Sequence, residues 1–289
     1  MATIAVFNSK GGVGKTTLAL NIAAESARAG HRTLIWEIDS HGDSSWLFDN
    51  QLPNGTTPAA SLLHGTAKPI DLVRPTKIQG LSILSADSDS RRTENFLIHF
   101  ARERRLEGLL EELEAHFDVI IFDNPPGFNE SNRKLLMTVN LVIVPVIPSP
   151  LAMRGLLRVR DFVLRHRGNH APILPVFSMT DKRRNLHKQA LAEHADWPSI
   201  SMSSDIEKMA VMKLPVSSYA PNSPSALAFS KLWQGVERKL REKHVLRAVH
   251  SAGVEAASVE LASGQEAQPD SPSPSYFGWK GSVLSLPLE

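Results

Sequence analysis

At 289 residues, 42% of them hydrophobic and 21% charged, the chain is long enough for one large α/β domain or two small ones with a substantial core. It has no cysteine, which excludes disulfide frameworks and cysteine-ligated zinc or iron–sulfur centres. The formal net charge is only +2, but residues 1–247 carry the basic excess, and from Ala248 onward a single Lys/Arg (Lys280) faces five acidic residues; a basic body with an acidic tail suits an anionic partner such as DNA.

The first strand begins almost at once, in Thr3–Phe7, with no basic and apolar leader before it. No apolar run approaches the roughly 20 residues that cross a bilayer, so a cytoplasmic location is expected. The stretch that follows, Asn8-Ser-Lys-Gly-Gly-Val-Gly-Lys-Thr-Thr17, reads as a phosphate cradle. Gly11, Gly12 and Gly14 let successive backbone N–H groups turn toward one anion, and the helix expected over 16–29 aims its positive end at the same point. Lys15 would reach the β- and γ-phosphates, and the Thr16 hydroxyl would ligate Mg²⁺. A glycine turn that binds nothing explains the glycines but not Lys10, Lys15, Thr16 and Thr17 together.

Gly30 stops the first helix, and Arg32–Ile38 reads as a buried strand delivering Asp39 at its end. The alternative for Asp39 is an N-cap of a helix near Asp43–Phe48. Residues 50–80 are rich in proline and read as irregular, with one short helix at Ala59–His64. Leu81–Ala86 reads as a strand and Thr93–His116 as an amphipathic helix. Asp118–Asp123, DVIIFD, is an apolar strand that ends in a carboxylate, followed by Asn-Pro-Pro-Gly. Paired with the glycine loop, Asp123 would hold Mg²⁺ through water. Leu141–Ile147 and Pro172–Met179 are further strands, with a helix over Leu151–Arg167 that puts Arg154, Arg158 and Arg165 on one face. Thr180–Lys188 is a basic loop leading into a helix, Asp205–Met212 a short helix, and a last helix capped by Asn222 or Ser223 runs to about Leu246 with an apolar stripe at Phe229, Leu232, Trp233, Val236 and Leu240. Beyond Ala248 the composition of Ala, Ser, Gly, Gln and Pro predicts disorder. Alternating strands and helices predict a single doubly wound, mainly parallel α/β sheet flanked by helices, a domain over residues 1–247 with a tail over 248–289.

Ser9 stands where the generic phosphate-binding loop has glycine, whereas Lys10 before the glycines matches a variant. The sequence here resembles the ParA/MinD family of deviant Walker A ATPases, over about residues 2–247. The resemblance rests on K-G-G-V-G-K-T-T, the Asp39 loop, DVIIFDNPPG and YAPNSPSA. It implies a P-loop NTPase fold, ATP and Mg²⁺ as ligands, Lys10–Thr17 as nucleotide-binding residues with Val13 among them, and Lys10 reaching across a nucleotide-sandwich homodimer. It also implies that Asp39 positions the attacking water, with Glu37 and Ser40-His41 departing from the family's D-x-D-P-Q-G, and that Met179 and Asp181 lie near the base.

The function implied is an ATP-gated switch that dimerises, binds nucleoid DNA nonspecifically and releases it on hydrolysis. It would partition plasmid, chromosome or protein cargo with a ParB-like or cargo adaptor that stimulates hydrolysis. Arg183, Arg184, Arg238, Lys239 and Arg241 are candidate DNA contacts, each equally readable as an ordinary solvated charge. No N-terminal helix-turn-helix is expected. The alternatives are a MinD-like membrane-associated ATPase, which the acidic Pro/Ser-rich end disfavours, and a hydrolysis-deficient DNA-binding clamp.

Overall fold

Apolar runs without polar alternation become strands covered on both faces. The computed structural model describes residues 1–48, 50, 52, 57–87, 105–164 and 171–260. In chain order the first half holds β1 (Ala2–Val6), α1 (Lys15–Arg28), β2 (Thr33–Glu37), α2 (Asp43–Leu47), α3 (Pro58–Leu63), α4 (Pro69–Leu72), β3 (Arg74–Pro75), β4 (Leu81–Leu84), α5 (Arg105–Glu114) and β5 (Val119–Asp123). The second half holds α6 (Glu130–Thr138), β6 (Leu141–Val146), α7 (Pro150–Leu164), β7 (Ile173–Thr180), α8 (Asn185–Glu193) and β8 (Ser199–Ser201). Three short helices follow, α9 (Ser204–Glu207), α10 (Met209–Met212) and α11 (Val216–Tyr219), and then α12 (Pro224–Glu260).

Among the described residues eight strands form one sheet in the order β3-β4-β2-β5-β1-β6-β7-β8. Every neighbouring pair is parallel except β3 with β4. The expected doubly wound α/β architecture is borne out. β1 lies between β5 and β6, so the chain reverses its direction of travel across the sheet at the strand whose carboxyl end carries the glycine loop. Ligands of open α/β sheets bind at such a point.

Alternating side chains divide the core into two layers. Ile4, Val6, Ile35 and Ile121 face α1 and α12, where Leu20, Phe229 and Trp233 are buried. Ala5, Leu34, Trp36 and Phe122 face the opposite side, under Leu113 of α5 and Leu156 of α7. Phe229, Leu232, Trp233, Val236 and Leu240 are all buried, as the apolar stripe predicts. Each such large side chain contributes about 1.5–3 kcal/mol of burial. Ser223 caps α12, its Oγ accepting the Ala226 N–H at 3.2 Å.

Some elements differ from expectation. α6 and β8 were not legible, because each is short and offers few apolar positions to set a period; α6 is started instead by Asn129, whose side chain accepts the Asn132 N–H at 2.7 Å. The helix expected over Asp205–Met212 is two helices that meet at Lys208. Of the helix expected over Thr93–His116, only the part from Arg105 lies within the described residues. α12 continues to Glu260, so a helix occupies 248–260 of the segment expected to be disordered, where Ala and Glu are good helix formers. Residues 261–289 lie outside the described residues.

Candidate functional site

The loop after β1 is pinned before it turns. Asn8 is fully buried, donates Nδ2 to the Pro145 carbonyl at 2.8 Å, and accepts the Lys10 N–H at 3.0 Å. Gly12 and Gly14 then take φ of +70° and +84°, which side-chain-bearing residues rarely adopt. Gly14 is the N-cap of α1 and supplies no capping side chain, so the free N–H groups of the first helical turn stay available to an anion. Gly127 N–H donates to the Ser9 carbonyl at 3.1 Å, which ties this loop to the segment after β5.

Lys15 opens α1 and is only 7% exposed, with Nζ donating to the Lys10 carbonyl at 3.2 Å. Burial lowers its pKa, while the charges of Asp123 and Asp39 act to raise it. A desolvated ammonium beside an uncapped helix start is a site for an anion with several oxygens.

Asp123 ends β5 and is buried. Burial pushes its carboxyl up to about 7; the Ser44 hydroxyl pulls it back, Glu37 adds to the rise, Thr16 opposes it and Asp39 adds again. Ser44 Oγ donates to Oδ2 at 2.8 Å, and Oδ1 has no hydrogen-bond partner. A buried carboxylate oxygen without a partner, close to the Thr16 hydroxyl, is a hard donor set that fits Mg²⁺. Among the described residues no group of three or more His, Cys, Asp or Glu is arranged to hold a metal by itself. These donors therefore suit a hydrated cation that arrives with phosphates.

The two acidic residues at the end of β2 have different partners. Glu37 Oε1 accepts the Ser44 and Ser45 N–H groups at 2.7 and 3.1 Å, and Oε2 accepts the Ser45 hydroxyl and, at 3.4 Å, the Ala86 N–H. Burial raises the Glu37 pKa, and these donors offset part of the rise. The acid that satisfies the start of α2 is thus Glu37, which overturns the alternative of Asp39 as that helix's N-cap. Asp39 Oδ1 accepts instead from His41, through its N–H at 3.1 Å and Nδ1 at 2.7 Å.

Residues 1–172, which contain all of these groups, match the family described as an AAA domain. The chromosome partitioning protein ParA of Caulobacter vibrioides is 31% identical over 196 residues, covering 65% of this chain and 73% of that protein. The chain belongs to the ParA/MinD family of ATPases. The sporulation initiation inhibitor Soj of Bacillus subtilis is 30% identical over 195 residues, covering 66% of this chain and 77% of its own length. The fold matches the septum site-determining protein MinD of Pyrococcus horikoshii, solved with Mg-ADP, at TM-score 0.69 and 23% identity, covering 83% of this chain and 97% of that one.

In this ParA/MinD chain Lys10 is bound to its own subunit: its Nζ donates to the Leu151 carbonyl, in the first turn of α7, at 2.5 Å. Met179 sits at the carboxyl end of β7 with φ of +51°, and its terminal methyl lies 3.5 Å from where a Cβ on Gly14 would be. Met179 is therefore brought to the loop. Both Asp181 oxygens are taken by Arg183, Oδ1 from Nε at 2.9 Å and Oδ2 from Nη2 at 3.0 Å, and this pairing holds the Asp181 carboxyl down to about 2. Two residues expected to touch different ligands, a base and DNA, are thus occupied with each other.

The candidate DNA contacts do not form one patch. Arg183 and Arg184 follow the carboxyl end of β7, on the same edge as the glycine loop, and Arg154 and Arg158 are exposed on α7, which follows the carboxyl end of β6. Arg241 lies at the opposite edge, with Met1 and Asp118 around one depression, and pairs with Glu237 at 2.6 Å. Lys239 pairs with Glu242 at 2.7 Å. Sequence reading missed Ser44, Asn8, the capping role of Glu37 and the Leu151 carbonyl. Asn124 donates Nδ2 to the Val6 and Phe122 carbonyls at 3.2 Å each and so joins the ends of β1 and β5.

Proposed function

We propose that the chain is an ATP-driven dimerising switch that binds nonspecific DNA in its ATP state and releases it on hydrolysis, positioning a plasmid, chromosome or protein cargo. The observation that carries this reading is the buried Lys15 set beside the unpartnered Asp123 oxygen at an uncapped helix start. The N–H groups of Gly11–Thr17 cradle the triphosphate, Lys15 neutralises its β- and γ-oxygens, and Met179 packs beside the base with Asp181. Thr16 and, through water, Asp123 hold Mg²⁺, which supplies charge neutralisation on the phosphates.

Lys10 leaves the Leu151 carbonyl for the partner subunit's nucleotide, so dimer formation exchanges an internal contact for an intermolecular one. Asp39 orients the attacking water. A dimer doubles the basic surface, and affinity for DNA rises steeply with the number of phosphates neutralised. Arg183, Arg184, Arg154 and Arg158 are the favoured contacts, because they share an edge with the nucleotide and can respond to it; Arg238, Lys239 and Arg241 are the second group. A ParB-like adaptor stimulates hydrolysis, and the working location is the nucleoid in the cytoplasm.

The deciding experiment measures binding to nonspecific duplex DNA with ATP, ADP and no nucleotide, alongside Lys15→Gln. Binding confined to ATP and lost in the variant is expected. Equal binding in all states ends the reading.

A further inference from the structure

The Asp39 loop holds a pair that capping of α2 does not explain, since Glu37 does that work. His41 Nδ1 lies 2.7 Å from Asp39 Oδ1, and the same oxygen takes the His41 N–H at 3.1 Å. An ionised carboxylate only accepts, so Nδ1 carries the proton and the neutral ring keeps its lone pair on Nε2. The Asp39 side chain is 14% exposed and the His41 side chain 75%, so the ring stands at the solvent side of the carboxylate. Lys15 acts electrostatically on both, which places the pair beside the phosphate-binding ammonium.

We propose that His41 is a positioning residue for hydrolysis: it holds Asp39 through Oδ1, leaves Oδ2 to orient water, and sets the carboxylate's effective charge by gaining or losing a proton. This rests on the reading of Asp39 given under the proposed function. In the step it serves, the water oxygen bonds to the γ-phosphorus while the bond to the β,γ-bridging oxygen breaks. ADP leaves with that electron pair, and the proton of the water goes to the released phosphate or to solvent.

The charged groups that act on the ring are Asp39, Asp43 and Lys15. The hydrogen bond and charge of Asp39 raise the His41 pKa; desolvation opposes, Asp43 adds to the rise and Lys15 lowers it. With imidazolium the pair is neutral overall and polarises water weakly. With neutral imidazole the bond persists and Asp39 keeps its full charge. The rate therefore rises with pH as the ring loses its proton.

The test is single-turnover ATP hydrolysis between about pH 5.5 and about pH 9 by the full chain, His41→Asn and His41→Ala, with ATP binding measured on the same samples. The Asn amide nitrogen can donate to Oδ1 in place of Nδ1 without titrating. The wild type should rise several-fold across the range. His41→Asn should stay within about threefold of the wild-type plateau with a flat profile, and His41→Ala should fall by about tenfold or more. Coincident profiles for wild type and His41→Asn, or a wild-type rate in His41→Ala, overturn the role of His41 alone. ATP binding without hydrolysis by the wild type at any pH overturns it together with the hydrolase reading.

Discussion

The Ser44 hydroxyl donates to Asp123 Oδ2 at 2.8 Å, joining the first turn of α2 to the strand end that carries the carboxylate proposed to hold Mg²⁺. Ser44→Ala leaves Asp123 without that neutral donor to a charged group, a bond worth about 1.5–3 kcal/mol. Isothermal titration should show the Mg²⁺-nucleotide affinity falling about tenfold.

Lys10 and Lys15 are five residues apart and should fail differently. Lys15→Gln removes the buried ammonium and should abolish nucleotide binding. Lys10→Ala releases only the Leu151 carbonyl, so a single subunit should still bind nucleotide while the ATP dimer is lost. Isothermal titration with ATP and Mg²⁺ separates the two by nucleotide binding, analytical ultracentrifugation reads the dimer, and a persistent dimer in Lys10→Ala would remove the cross-subunit role.

Glu37→Ala strips the acceptor from two N–H groups of α2. Each buried donor left without a partner costs about 1–3 kcal/mol. Urea unfolding should show a loss in that range or above. Because Ser44 loses its anchor as well, Mg²⁺-nucleotide affinity should fall with stability, and unchanged affinity would separate the two roles.

Arg32 and Asp118 tie the starts of β2 and β5, with Nη2 to Oδ1 at 2.7 Å and the Arg32 N–H to Oδ2 at 2.8 Å. The Arg32 side chain, and then its backbone N–H, hold the Asp118 carboxyl down to about 2. Its folded pKa lies below the unfolded value, so the bond's stability is present above about pH 4 and is lost as pH falls toward about 2. Both side chains are about half exposed, so solvent screening leaves the pair only a small stabilising effect. Urea midpoints of wild type and Asp118→Asn should differ at about pH 6 and converge at about pH 2.

Asn21 is 1% exposed on α1, where Oδ1 accepts the Val216 N–H at 3.0 Å and Nδ2 donates to the Thr17 carbonyl at 2.7 Å. Asn21→Ala leaves the Val216 N–H buried and unpaired, so a loss of about 1–3 kcal/mol in thermal or urea unfolding is expected, with nucleotide binding retained.

The first strand, glycine loop and following helix within residues 3–29, the apolar strands leading to Asp39 and Asp123, and the buried stripe of α12 could all be read from the chain alone. Their causes are local: glycine's access to positive φ, continuous apolar runs, and helical spacing of large side chains. Which carboxylate does what could not be read. Glu37 and Asp39 are two residues apart, yet one turns back to start α2 and the other turns out to His41, because β2 ends at Glu37 and the alternation of its side chains ends with it. The same holds for Lys10 on the Leu151 carbonyl, for Arg183 on Asp181, and for basic residues parted to opposite edges of the sheet. A long side chain's partner is set by which strand ends the sheet order brings together, and that order exists only once the chain has folded.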